Sequence, residues 1–225
     1  MPEFRTNQAL VLSARPLGER SYIVSLLTPD HGRHIGVFQK RHPPETGAWV
    51  SVRWRARLAE QMGQFYLEEV RPFSVAYLDD KKRLACITCL CRLLDDLLPE
   101  RQSFPELYQA VFDFLDHLDE TDFLKYYVLL EQKILTEIGF GLDTTACAGG
   151  GNPHDLAYIS PKTGRAVSRE KGEPYKTKLL PLPRFLWQSV PATEADIRTG
   201  LNLTGYFLQT YALKHPLPPV RSQLF

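Results

Sequence analysis

The sequence predicts an α+β chain in which a small closed barrel of five antiparallel strands precedes an α-helical domain with a small irregular insert. Three observations predict it. Up to about residue 72, apolar and polar residues alternate with period two between turn-rich breaks, the pattern of half-buried strands. After Arg71-Pro72 the apolar spacing changes to three and four, which collects side chains on one face of a helix. Between about residues 142 and 183 neither period holds, and Gly, Lys and Pro accumulate. The expected division is therefore 1–72 for the barrel domain and 73–225 for the helical domain, with the insert at about 142–183.

The expected strands are Ala9 to Arg15, Ser21 to Leu27, Arg33 to Lys40, Ala48 to Leu58 and Gln64 to Val70. Breaks rich in Pro, Gly, Asp and Asn-like turn residues separate them: Pro16-Leu17-Gly18, Thr28 to Gly32, His42 to Gly47 and Gln61-Met62-Gly63. Five short strands in about 70 residues suit an OB-fold, whose outer strand surface and loops often bind single-stranded nucleic acid. In the helical part, Leu84, Ile87, Cys91, Leu94 and Leu98 form one apolar stripe. Leu107, Val111, Phe114 and Leu118 form a second, and Phe123, Tyr127, Leu130, Ile134 and Ile138 a third, stopped by Gly139 and Gly141. A last helix starts at the N-cap Thr193 with Asp196 three residues on, and is expected to bury Ile197, Leu201, Thr204, Leu208 and Tyr211. The insert holds one expected hairpin, Leu156 to Ile159 and Arg165 to Ser168, and the tail Pro216 to Val220 is expected to be extended and exposed.

The fourth strand carries the strongest functional signal. Trp49, Ser51, Arg53, Arg55 and Arg57 alternate with Ala48, Val50, Val52, Trp54, Ala56 and Leu58, so that one face is apolar and the other basic. Arginines two apart on a strand stand about 7 Å from each other, a spacing suited to tracking a polyanion, and Trp49 at the end of the row offers a surface for a stacked base. Lys40, Arg41 and His42 extend this face from the neighbouring loop. The competing reading is a solvated outer face of an antiparallel sheet, which is commonly charged.

Charge supports the first reading. The net charge is +1, but residues 1–72 hold ten Lys/Arg against seven Asp/Glu, and the rest of the chain is slightly acidic. With 44% hydrophobic residues the chain has ample material for a packed core. No apolar run approaches the ~20 residues that a membrane span needs, and the first residues lack a signal peptide's apolar stretch, so a cytoplasmic protein is expected. Cys86-x-x-Cys89, with Cys91 and Cys147, leaves two readings open: small apolar core residues on a helix, or a metal or redox site, for which no second pair at zinc spacing follows. Phosphate-binding, nucleophile-elbow, dinucleotide and zinc-protease motifs are all missing, and Asp30-His31-Gly32 reads as turn chemistry.

Four segments carry a family resemblance: Leu17-Gly18-Glu19-Arg20-Ser21-Tyr22-Ile23-Val24; Leu26-Leu27-Thr28-Pro29-Asp30-His31-Gly32-Arg33; Leu135 to Asp143 with Cys147; and Tyr158-Ile159-Ser160-Pro161-Lys162-Thr163-Gly164. In this order and spacing the chain resembles the bacterial RecO family of recombination mediators from Ala9 to about Leu213. The resemblance implies an OB-fold and a helical domain without an enzymatic site or cofactor. It also implies binding of single- and double-stranded DNA, annealing of complementary strands, and work with RecR and single-strand-binding protein in loading RecA, at the nucleoid.

Two departures from the family matter. Members that bind zinc use two Cys-x-x-Cys pairs in the insert, whereas here Cys147 is followed by Gly150, Ser168 and Lys171 at the other positions, and one ligand cannot hold zinc. The resemblance also implies an arginine two positions before Glu131 to meet the acidic tail of single-strand-binding protein; this chain has Leu129. Lys125 and Lys133, beside Tyr127 and Leu130, are the substitutes expected to form that partner site. The rival functions are an RNA-binding OB-fold protein, a non-nucleic-acid interaction scaffold, and a hydrolase without a recognisable nucleophile motif.

Overall fold

A computed structural model describes residues 2–225. The chain begins with five strands, β1 (Glu3–Pro16), β2 (Tyr22–Thr28), β3 (Gly32–Phe38), β4 (Ala48–Arg55) and β5 (Gln64–Pro72). They close in the order β1-β2-β3-β5-β4, with β4 returning antiparallel to β1 and β3 meeting β5 in parallel. This is the closed five-stranded arrangement expected of an OB-fold.

β1 is long because it serves both sides of the closure: Glu3 to Leu10 pair with β4, and Leu10 to Pro16 pair with β2. Its register shifts between Thr6 and Ala9 and again between Val11 and Ser13, and such irregularities let a strand bend around a small barrel. The barrel is filled by Ala9, Val11, Val24, Leu26, Phe38, Val50, Val52, Trp54, Phe65 and Leu67. Every second residue of β4 points into this core, as period two requires. Gly36 of β3 leaves room for Phe65, since a Cβ there would come within 2.7 Å of the Phe65 ring. Gly32, at φ 59°, opens β3, and a Cβ there would collide with the backbone of Gln102.

Helices follow: α1 (Phe73–Ala76), α2 (Lys81–Leu97), α3 (Pro105–Asp116) and α4 (Phe123–Glu137). The insert contains β6 (Leu156–Ile159), β7 (Ala166–Ser168), α5 (Arg169–Gly172) and β8 (Leu180–Pro181), and the last long helix is α6 (Glu194–Phe207). The chain divides into two compact units, one running to Leu115 and including Pro218–Leu224, the other Asp116–Leu217 with Phe225. The strand-to-helix change thus falls at residue 73, while α2 and most of α3 belong to the same unit as the barrel.

In the first unit α2 starts at Asp80, whose carboxylate accepts from the Arg83 amide at 3.0 Å. Its buried face includes Cys86, Ile87, Cys89, Cys91 and Leu94. All three cysteines are buried thiols in the core, and burial pushes the Cys91 thiol up to about 12. Two outward residues of the barrel tie it to this helix: Ser13 donates to Asp95 at 2.8 Å, and Arg33 donates to the Leu98 carbonyl at 2.7 Å while pairing with Asp95 at 3.4 Å. The expected extended, exposed tail is partly corrected: Pro216 and Pro219 are exposed, but Pro218 is buried and Leu217 and Val220 are half-buried, and Pro219–Leu224 form a turn of 3-10 helix in the barrel's unit.

In the second unit the capping box of α6 is as expected, with Thr193 and Asp196 bonding each other's amides. Tyr127, Leu130, Ile134, Leu201, Thr204 and Leu208 are buried. Tyr211 is not, contrary to expectation: it stands 38% exposed and donates to the Pro161 carbonyl at 2.7 Å. The hairpin β6–β7 forms as expected and gains β8 as a third strand. Among the described residues no helix is long and apolar enough to cross a membrane.

Candidate nucleic-acid interface

The basic strand face is partly as expected. Ser51, Arg53 and Arg55 project outward from β4, but the strand ends at Arg55; Arg57 and Leu58 lie in the following bend, with Leu58 55% exposed rather than in the core. Pairing across the sheet sets the neighbours. Arg53 faces Arg5 of β1 on one side and Tyr66 of β5 on the other, and its guanidinium lies 4.6 Å from the centre of the Tyr66 ring.

These residues line an open groove of ≈ 610 Å³ on the outer surface of β1, β4 and β5. Its cations are Arg5, Arg53 and Lys40, and Lys40 also lies 5.6 Å from the Phe38 ring. Its polar wall is a chain of neutral groups: Ser51 donates to Asn7 at 3.2 Å, and Gln64 donates to Gln39 at 3.2 Å. Among the described residues, Glu68 is the one acid in the lining. Beside the groove, Arg55 and Arg5 both donate to Glu3, at 2.8 and 3.1 Å, and these bonds hold the Glu3 carboxyl below its ordinary range. His42 lines a smaller neighbouring pocket with Lys40, Pro43 and Pro44, while Arg41 is exposed outside both.

Trp49 has to be corrected. It is on the outward side of β4 but only 5% exposed, because Phe73, Tyr108 and Phe112 cover it at ring separations of 6.3, 6.0 and 5.2 Å. No base can reach it. Arg5 and Asn7 occupy the place expected for further contacts, on a part of β1 ahead of Ala9 that the sequence reading missed. The available signal was the short alternation of Glu3, Arg5 and Asn7 with Phe4 and Thr6.

The expected partner site on α4 is corrected as well. Tyr127 is fully buried and Leu130 nearly so, so neither offers side-chain surface to a partner. Lys133 pairs with Glu137 at 2.7 Å, and Lys125 lies half-buried, 5.8 Å from the Tyr126 ring. The second unit opens elsewhere: a small pocket lined by Phe140, Lys162, Thr163, Phe207 and Tyr211, in which Phe140 and Phe207 each stack near-parallel with Tyr211 at 6.2 and 5.7 Å.

Two further side chains have unusual surroundings. His34 is buried in the barrel against Phe4, Trp54 and Phe65, and among the described residues neither ring nitrogen has a hydrogen-bond partner. Burial, with help from Arg101 and His31, lowers its pKa to about 4, so the ring is neutral at pH 7. Cys147 accepts from the Ser168 amide at 3.1 Å; burial raises its pKa, but bonds from Ser168, Gly151 and Gly149 outweigh that and bring it to about 7. Among the described residues no cluster of three or more His, Cys, Asp or Glu is placed to hold a metal ion.

Comparison with known proteins places these features in context. Residues 1–66 match the family model "Recombination protein O N terminal" and residues 78–219 match "Recombination protein O C terminal". The chain is 42% identical over 230 residues to the DNA repair protein RecO of Rhodospirillum centenum, covering 98% of this chain and 92% of that one. It is 40% identical over 234 residues to the RecO of Cereibacter sphaeroides, covering 100% and 97%, and 40% identical over 226 residues to that of Caulobacter vibrioides, covering 96% and 93%.

Proposed function

The chain belongs to the RecO family of DNA repair proteins, and from that membership we propose that it binds single- and double-stranded DNA and anneals complementary strands without catalysing a reaction. In this reading the barrel neutralises phosphates, which lowers the repulsion between two approaching strands, and the second unit docks protein partners. The partners are single-strand-binding protein, through its acidic tail, and RecR, with RecA loaded as the outcome. The work takes place in the cytoplasm at the nucleoid.

The observation that carries the DNA reading is the open groove in which Arg5, Arg53 and Lys40 face solvent together. A merely solvated sheet face needs no such concavity, and nucleic-acid grooves combine cations with an aromatic surface. For the tail, the pocket of Phe140, Phe207 and Tyr211 with Lys162 at its edge matches an apolar chain end that carries a carboxylate.

A strand-annealing assay tests the proposal. The protein should accelerate pairing of complementary DNA strands, also when they are coated with single-strand-binding protein. Faster annealing of RNA than of DNA at matched sequence would favour the RNA-binding alternative, and absence of salt-dependent binding to either would favour a protein scaffold.

A further inference from the structure

The basic groove contains an aromatic side chain that the charge pattern does not reveal. Tyr66 sits on the outward side of β5 and is 44% exposed, an unusual place for a large ring on a barrel whose other aromatic strand residues point inward or are covered. Its hydroxyl lies 3.5 Å from the Gln64 side-chain oxygen, and the Arg53 guanidinium stands over the ring at 4.6 Å. A guanidinium set over a tyrosine ring, both lining a groove, forms a platform to which a flat aromatic group can add.

We propose that Tyr66 and Arg53 form a stacking subsite for an unpaired base, which makes this groove selective for single-stranded over double-stranded DNA. The inference rests on the DNA-binding reading above and goes beyond it by naming the conformational class of DNA that the groove takes.

Three features support it. First, the usual nucleic-acid face of an OB-fold lies on strands two and three, whereas here a groove lined by cations lies on the outer surface of β1, β4 and β5, where Tyr66 is exposed. Second, the order across that side is Arg5, Arg53, Tyr66 and then Lys40 beyond β3, so cations flank the ring along a path of about three inter-strand spacings, or roughly 14 Å. That path holds a few nucleotides, near the low end of the roughly 4–16 per OB-fold. Third, a duplex presents its phosphates but hides its base faces, so a stacking platform contributes only to a strand whose bases are free.

The test uses the full-length chain with a poly-dT oligonucleotide and a blunt duplex of equal length. Tyr66→Leu, which keeps apolar bulk and removes the ring, should weaken poly-dT binding about tenfold, the loss of one stacked base. Its salt dependence should stay unchanged, because no cation is lost, and duplex affinity should stay at the wild-type level. Tyr66→Phe should bind as wild type. An equal loss on both DNAs, or no loss on poly-dT, overturns the subsite while leaving the broader reading standing. Wild-type protein that binds neither DNA overturns both. Photocross-linking of 5-iododeoxyuridine in the oligonucleotide to wild-type protein gives a result independent of any variant's folding: Tyr66 should be the modified residue, and cross-links confined to other residues contradict the proposal.

Discussion

Arg55 donates to Glu3 at 2.8 Å across the β1–β4 pairing, so the outermost arginine of the strand is held by an acid at the edge of the groove. Glu3 also accepts from Arg5 at 3.1 Å, and one carboxylate therefore offsets part of two positive charges. Glu3→Gln should tighten single-stranded DNA binding and steepen its salt dependence by up to about 0.7 in log-log slope, the value of one added phosphate contact. Filter binding across a salt series reads both. Unchanged affinity places Arg55 outside the path of the DNA.

His34 makes stability depend on acid. In the folded barrel it stays neutral down to about pH 4, whereas in the unfolded chain it takes up a proton near its ordinary value of 6.5. The unfolded state thus binds more protons between these values, and its contribution to stability is lost as pH falls from about 6.5 to about 4. Over that window the loss is on the order of 1–3 kcal/mol after solvent screening. Urea melts at pH 7 and pH 4.5 should show a smaller drop for His34→Leu than for wild type; equal drops contradict the assignment.

Part of this was legible in the sequence and part was not, for a physical reason. Period two on β4 correctly sorted Val50, Val52 and Trp54 inward from Ser51, Arg53 and Arg55, because strand geometry fixes the alternation locally. It could not say what covers the outward side. Trp49 is buried by Tyr108 and Phe112, contributed by a helix about 60 residues later. The same limit applies to Tyr127 and Leu130, where a helical stripe identified the core but not the depth at which its edge residues lie. The start of β1 alternates over only five residues with a single aromatic, too short a run to mark a strand by itself, so Arg5 and Asn7 emerged only once β4 had a partner.

Thr204 donates to the buried Glu131 carboxylate at 2.5 Å in the second unit. Thr204→Val keeps the shape and removes the donor, and should cost about 1–3 kcal/mol. Thermal melting of the full chain measures it. A variant as stable as wild type shows that the carboxylate finds its full solvation elsewhere.

The Cys147 thiol should titrate near pH 7 because bonds from Ser168 and the neighbouring amides favour its thiolate. Ser168→Ala removes the hydroxyl and should raise that value. The pH profile of Cys147 alkylation, mapped by mass spectrometry, checks it; an unmoved midpoint contradicts the role of Ser168.

In the second unit, Phe140→Ala with Lys162→Ala should weaken binding of an acidic, apolar-ended tail peptide about tenfold or more, while Lys125→Ala with Lys133→Ala should leave it unchanged. Fluorescence anisotropy of a labelled peptide separates the two outcomes. The reverse ranking moves the tail site to α4.

If DNA lies in the groove on β1, β4 and β5, the cations that line it set the salt dependence of binding. The most direct test is the salt dependence of single-stranded DNA affinity for wild type and for the combined Arg5→Ala, Lys40→Ala, Arg53→Ala variant, with an Arg41→Ala, Arg57→Ala variant as the off-groove control. The groove variant should retain the wild-type melting temperature, since all three side chains leave the barrel core untouched. Its log-log slope should flatten by about 0.7 per lost contact, or about 2 in all, with a smaller change in the control. A folded groove variant with wild-type affinity and slope would show that the DNA does not lie in this groove.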